Sequence, residues 1–376
     1  MQVRKRIAEI LKTIVLLAAL IFFIVIAVFQ AYESFSINDT ASRIVLGVNG
    51  TGSETFGSAL KGHPAPMGEL IAIVSDGNFT VIDSSAGSKT TENFMLSDPI
   101  LHSKGNYCVV ADYGSDDVRL YEKGEVITRV ETEGKIISVV TNTNGFFAVA
   151  TEETGYNAVI TVYKKNGKAI YRYRIAENTF IDMDLSANNR KMIVVEANLS
   201  SGSIGSNVVV VDFNRKDAEN VFFTQDVIYV NVHFNKNGSF VCVGSDRADV
   251  YRADCALLKT IDYKGRKLIG ADVNNDDLLS FAFHGVNEGE TGVSSLEIFD
   301  KKGNVRGSVS FENEIEHICV NGGYVAVSHG EKLDIVKANG KIKKSFGTTS
   351  PIKYAAPFSD GNAAVIFSGG NTTVVK

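Results

Sequence analysis

Tryptophan is absent from the 376 residues, and no block of lysine and arginine occurs after the first twelve. The missing basic block removes the electrostatic footprint of a DNA- or RNA-binding surface. With 38 basic residues against 43 acidic ones, the net charge is only −5, and nucleic acid is not an expected partner. The four cysteines all lie far from the one long apolar run, so a lipid-modified cysteine beside that run is excluded. Helical periodicity is also missing beyond it. No serine sits in a Gly-x-Ser-x-Gly elbow, a motif that would in any case need a strand-to-helix turn.

What is present begins with that run. Residues 13–32, TIVLLAALIFFIVIAVFQAY, carry no charge, and a helix of this length covers roughly 30 Å, the hydrocarbon thickness of a bilayer. The leader 1–12 holds Arg4, Lys5, Arg6 and Lys12, whereas the first charges after the run are Glu33 and Asp39. Positive flanks stay inside, so the expectation is a cytoplasmic N-terminus, one transmembrane helix and an extracytoplasmic remainder. A cleaved signal peptide is the competing reading. The run is about twice the length of a signal-peptide core, and AVFQAYES offers no small-x-small site.

From residue 53 onward the chain repeats one unit: strand, Asn/Asp/Gly turn, strand, second turn, strand. The second turn marks each unit, as in VRLYEKGEV (118–126), ITVYKKNGKAI (160–170), LEIFDKKGNVRG (296–307) and LDIVKANGKIKK (333–344). Four short strands every roughly 35 to 48 residues specify a β-propeller. Complete blades fit at 53–96, 98–131, 135–176, 179–225, 227–262, 267–311 and 314–347, and residues after 350 supply three more strands. The segment Arg43-Ile-Val-Leu-Gly-Val48, within a tether of 33–52, is the candidate for the missing fourth strand. Pairing both chain ends in one blade removes free sheet edges. The expected fold is thus all-β, an eight-bladed propeller over 53–376 behind one transmembrane helix, with seven blades as the alternative.

The turn pattern in VYKKNGKAIYRY, IFDKKGNVRG and IVKANGKIKKSF, taken with eight blades, resembles the quinoprotein-like (PQQ-like) propeller superfamily. One span followed by such a propeller resembles single-pass surface proteins of Gram-positive, clostridial-type bacteria. The resemblance implies a fold and a cell-membrane location and transfers no active site. Enzymatic quinoproteins dock their blades through tryptophan motifs, and WD repeats need a Trp-Asp dipeptide. This chain can contain neither.

Candidate chemistry was sought among the polar residues of the innermost strands, which line a propeller's channel. They are His102, Asp182, Asp184, His233, Asp272 and His317. The i, i+2 spacing of Asp182 and Asp184 points both to one face, suited to a cation or a basic group, or to backbone hydrogen bonds. His102, His233 and His317 fall in blades two, five and seven, too far round the ring for an expected metal site. The stretch Asp272–Asp277 alternates Asp272, Asn274 and Asp276 but lacks the glycine and distal glutamate of a calcium loop. It and Asp112–Asp117 read as Asx turns. His284 and His329 close second strands near a rim and read as solvated. Cys242 should face Val250 across a hairpin and leave Cys255 out of register, and Cys108 and Cys319 lie in non-adjacent blades. Four free, mostly buried thiols follow. The sequons at Asn38, Asn78, Asn198 and Asn371 carry no assigned role.

No catalytic, cofactor or metal constellation is complete, and no cofactor is expected. The expected role is a membrane-anchored, extracytoplasmic binding scaffold that offers its rim to a protein or cell-wall partner. The Gly/Ser-rich loops 198–207 and 284–295 are candidate contact segments. The alternative is a glycan-binding or glycan-cleaving propeller, which would draw on carboxylates and Tyr or Phe platforms. A quinone dehydrogenase lacks its tryptophans, and a signalling receptor has only about twelve residues inside the cell, by the spans above.

Overall fold

A computed structural model of the chain describes residues 62–75, 78–93, 95–198, 204–214, 219–273, 278–287 and 289–376. The leader 1–12, the span 13–32 and the tether 33–52 with its strand 43–48 lie outside the described residues, as do Asn274–Asp277. The remainder is strand after strand, because runs such as Val208–Val211 and Val325–Val327 are β-branched or small and are punctuated by turns.

Eight antiparallel sheets follow one another along the chain. Blade one contains β1 (Ala65–Met67), β2 (Leu70–Ser75), β3 (Asn78–Ile82) and β4 (Ser88–Asn93). Blade two contains β5 (Pro99–Lys104), β6 (Tyr107–Asp112), β7 (Asp117–Glu122) and β8 (Glu125–Glu131). Blade three contains β9 (Ile136–Thr141), β10 (Phe147–Glu153), β11 (Tyr156–Tyr163) and β12 (Ala169–Ile175). Blade four contains β13 (Thr179–Leu185), β14 (Lys191–Asn198), β15 (Gly205–Asp212) and β16 (Glu219–Gln225). Blade five contains β17 (Tyr229–Phe234), β18 (Phe240–Gly244), β19 (Arg247–Tyr251) and β20 (Leu257–Asp262). Blade six contains β21 (Lys267–Asp272), β22 (Leu278–His284), β23 (Ser294–Asp300) and β24 (Val305–Phe311). Blade seven contains β25 (His317–Asn321), β26 (Tyr324–His329), β27 (Lys332–Lys337) and β28 (Ile342–Gly347). Blade eight contains β29 (Ile352–Pro357), β30 (Ala364–Ser368) and β31 (Asn371–Val375), three strands among the described residues. The chain is an eight-bladed β-propeller, and the seven-blade alternative falls.

Burial explains the sequence pattern of each strand. Second and third strands are covered on both faces and read as continuous apolar runs, as in β18 and β19. Fourth strands alternate exposed and half-buried positions, as in β12 and β28. The core is not central but divided into eight clusters, one between each blade and the next. Ile193, Val195 and Val210 of blade four meet Tyr229, Phe234 and Phe240 of blade five, for example. The eighth cluster joins Ile71, Ile73 and Ile82 of blade one to Ala356, Phe358 and Val365 of blade eight. Packing alone therefore closes the ring. Asn321 reinforces the closure by donating to the carbonyls of Pro357 in blade eight and Gly68 in blade one.

The glycine of the second turn has a second task. Gly167 and Gly340 have φ of 79° and 80°, a region that L side chains seldom enter, and each turn abuts the fourth strand of the preceding blade. A Cβ at Gly340 would lie 2.5 Å from the Ser308 carbonyl oxygen, and one at Gly167 3.1 Å from Thr128. The repeated turn is thus an inter-blade contact as well as a hairpin.

Three local expectations need correction. His329 is not solvated: it is 6% exposed, with Nε2 2.8 Å from Asp334 Oδ2, because the neighbouring blade's Phe311 ring covers it at 4.7 Å. Cys242 faces Asp249 rather than Val250, since the hairpin is centred between Ser245 and Asp246. The 198–207 loop is shorter than expected, because Asn198 and Gly205–Asn207 belong to the β14–β15 ladder. Cys108, Cys242 and Cys319 are buried, Cys255 is half-buried, and none of the four is in a disulfide.

Candidate functional site

The polar residues of the inner strands are the first place to look, and their aim is set by bulges. The β13–β14 register skips Ile181, the β17–β18 register skips Val230 and the β21–β22 register skips Ile269. An extra residue in one strand re-aims the side chains that follow. Asp182 and Asn231 come directly after two of these bulges.

All six channel candidates lie on first strands: His102 on β5, Asp182 and Asp184 on β13, His233 on β17, Asp272 on β21 and His317 on β25. Five of them accept a backbone N–H from the next blade's inner strand. His102 Nδ1 takes Thr141 N at 3.0 Å. Asp182 Oδ2 takes Val232 N at 2.9 Å and Asn231 Nδ2 at 2.9 Å. Asp184 Oδ2 takes Phe234 N at 2.7 Å, Asp272 Oδ2 takes Val320 N at 2.7 Å, and His317 Nδ1 takes Ala355 N at 3.4 Å. Inner strands of adjacent blades splay too far apart to pair, so their inward N–H groups need side-chain acceptors. The channel residues supply them.

Two clusters form where the sequence alone placed single residues. Lys104, which follows His102 by two positions on β5, sends Nζ to Asp184 Oδ2 at 2.9 Å and to the Phe234 carbonyl at 3.3 Å. His233 Nδ1 lies 3.1 Å from the same Asp184 oxygen. Blade two is thereby tied to blades four and five across the ring. His102 feels the charges of Asp184, Lys104 and His233, so this histidine and His233 share one electrostatic centre. His317 belongs elsewhere: its ring stacks on His63 at 5.2 Å, and Tyr354 meets both edge-on. Among the described residues no three His, Cys, Asp or Glu side chains are arranged to hold a metal ion.

The electrostatics follow from burial and these contacts. Burial favours the neutral form of Asp184, yet Lys104 and His233 outweigh it and hold the carboxyl well below the usual range. Asp182 has no such cation, and burial pushes it up to about 7 despite its backbone bonds. Burial lowers His102 to about 4, and burial with the adjacent His63 lowers His317 to about 3. Sequence reasoning missed Lys104, although β5 carried the signal: His102 and Lys104 share the i, i+2 phase of Asp182 and Asp184. It also missed His63, which lies outside any strand period, and the buried Arg266–Glu297 pair at 2.8 Å.

Blade seven contains a serine, a histidine and an aspartate in contact, but not as a nucleophile relay. Ser345 Oγ donates to Asp334 Oδ1, and His329 meets the other oxygen of the same carboxylate. The serine does not face the imidazole, which a general base would require.

Open concave surface lies at the rim, between blades two and three. A concavity of about 410 Å³ is lined by Glu131, Glu133, Thr151, Tyr163, Tyr171 and Arg172. A neighbouring one of about 590 Å³ shares Glu133 and adds Asp116, Lys135, Glu152, Glu153 and Tyr156. Arg172 bridges Glu133 at 3.1 Å and also contacts Glu153, and the Arg174 guanidinium lies 5.6 Å from the centre of the Tyr156 ring. Carboxylates, cations and accessible tyrosine faces thus share one groove.

Comparison with known proteins agrees with the architecture. The chain belongs to the DUF5711 family of unknown function, whose model matches residues 56–376. No curated protein matches in sequence. Among solved structures, it is similar to the C-terminal WD40 domain of Sif2 (TM-score 0.60, 11% identity, covering 85% of this chain and 99% of that one). It is also similar to BamB from Moraxella catarrhalis (TM-score 0.52, 13% identity, 88% and 97% covered). Sqt1 from Saccharomyces cerevisiae gives a TM-score of 0.54 at 12% identity, with 90% and 99% covered. At these identities the likeness is one of fold. The absence of tryptophan rules out the WD motif in this chain but not the scaffold that WD40 domains share with it.

Proposed function

We propose that this member of the DUF5711 family is a non-catalytic binding scaffold, held at the outer face of a bacterial cell membrane by residues 13–32. The single observation that carries the reading is how the channel's polar residues are used. His102, Asp182, Asp184, Asp272 and His317 are each engaged in joining one blade to the next. An open concave surface is offered by the blade two–three groove. A rigid disc with its chemistry locked inside and a mixed-charge groove on its rim is suited to holding a protein partner. The uncharged run and basic leader support the anchor and its orientation.

A second reading rests on the same groove. Tyr163, Tyr171, Glu131, Glu133 and Arg172 are residue types that bind sugars, so a cell-wall glycan is the alternative ligand. The test purifies the C-terminally tagged full-length chain from detergent-solubilised membranes, beside an E133K/Y156A variant, and incubates each with purified cell wall. The scaffold reading expects membrane or secreted proteins to co-purify with the wild type and to be lost from the variant. Retention on wall polymer without any co-purifying protein would overturn it in favour of the glycan reading. Recovery of the chain in the soluble fraction after cell lysis would refute the anchor.

A further inference from the structure

A blade of four antiparallel strands returns the chain to the face on which it entered, so every blade begins in the same sense. Asp182 and Asp184 of β13 accordingly meet Val232 and Phe234 of β17 in the same order. First-to-second and third-to-fourth turns therefore share one face of the ring, and second-to-third turns and blade-to-blade connections share the other. The two faces carry opposite charge. Among the described residues, the turns of the first face hold ten basic residues against four acidic, and those of the second hold eleven acidic against three basic.

The repeated turn builds the basic face. Of the six described third-to-fourth turns, five carry a cation, among them Lys123, Lys165, Arg252, Lys302 and Lys341. Asp83 and Asp254 are the only acidic residues in these six turns, and each has a cation beside it, Lys89 at 3.1 Å and Arg252 at 3.0 Å. Within two residues of four of the basic turns comes an exposed aliphatic side chain: Val126, Leu257, Val305 and Ile342, with Leu257 57% and Val305 64% exposed. The opposite face also exposes Met95, Tyr113 and Val293, but each lies three positions from a carboxylate, that of Asp98, Asp116 or Glu290.

Cations spread over the turns of five blades suit a broad anionic surface better than a compact ligand. Their pairing with aliphatic side chains narrows the surface to a lipid interface, where ammonium groups meet phosphate and alkyl groups enter just below it. We propose that the basic face lies on an anionic phospholipid bilayer. The carboxylates of the opposite face are repelled by the same surface, so that face turns away from it. The blade two–three groove is lined there by Glu133, Lys135 and Thr154, and this orientation presents it outward to a partner. The orientation rests on the membrane anchor proposed above, and adds to it the face that meets the bilayer and the class of lipid that holds it.

The experiment uses the full-length chain reconstituted into vesicles of phosphatidylcholine alone, or of phosphatidylcholine and phosphatidylglycerol in a three-to-one ratio. A membrane-impermeant amine-acylating reagent is applied, and labelling at each lysine is read by mass spectrometry. Lys123, Lys165, Lys302 and Lys341 should be labelled severalfold less in the anionic vesicles than in the neutral ones, and high salt should restore their labelling by screening the attraction. Lys264 and Lys332, on the acidic face, should be labelled equally in both. Incorporation into both vesicles with equal labelling of the turn lysines overturns the proposal and leaves the anchor standing, as does equal protection of Lys264 and Lys332. A chain that floats with neither vesicle refutes the anchor, and the proposal with it.

Discussion

Asp184 shows how much one side chain is asked to do. Its carboxylate accepts from Lys104 Nζ, Phe234 N and Leu185 N and lies within reach of His233, all out of contact with bulk water. Removing one member of such a buried pair strands the other charge and costs about 3–5 kcal/mol. Lys104→Met should lower stability by that order in denaturant titration. The K104M/D184L double variant should lose less than the sum of the singles, since it leaves no uncompensated charge. Additive losses would show that the pair is not coupled. The pH response belongs to this scale too. His102 and His317 have depressed pKa values, so the unfolded chain takes up protons first, and stability present above about pH 6.5 is lost as pH falls towards 4. Asp182 acts in the opposite sense. Its folded pKa is raised to about 7, so its contribution is complete below about pH 4 and is lost as pH rises through 7. Asp182→Asn should therefore match the wild type in acid relative to its own maximum and gain on it by pH 8. Parallel pH–stability curves for the two proteins would refute the raised value.

At the scale of the element, the second turn of each unit was conspicuous in the sequence, but its role was not. KKNGK and KANGK read as hairpin turns because Asn-Gly and Lys/Gly clusters between alternating strands have no other common use. That the same turn leans on the preceding blade is a property of the ring. Gly307, in β24, makes the point without a special φ: a Cβ there would lie 2.2 Å from the Asn339 carbonyl carbon in the next blade's turn. Gly307→Ala should destabilise the protein by about 1–3 kcal/mol, as overpacking does, whereas alanine at Gly347, which has open space around it, should not. Equal losses at both sites would show that local strand effects rather than the inter-blade contact set the cost. Inner strands were legible as strands, and their i, i+2 carboxylates as facing one way. The bulges at Ile181, Val230 and Ile269 were not, because nothing in a local window shows that one residue has been skipped.

For the whole molecule, the strand pairing at the outer edge of blade eight has a direct test. β31 is buried along most of its length like the third strands β19 and β27, and the outer edge of blade eight is where we propose that Arg43–Val48 pairs. Amides of Asn371–Val375 should exchange slowly with deuterium in the full chain and quickly in a chain beginning at Thr51. Unchanged protection after that truncation would refute the pairing. Repetition made the architecture readable: eight units, each with an apolar second and third strand, leave few alternatives once turns recur at blade spacing. Composition likewise settled that no tryptophan-based docking is available. Only the tertiary structure decided what the polar residues do, since His102, Lys104, Asp184 and His233 come from blades that the chain separates widely and the ring brings across one axis.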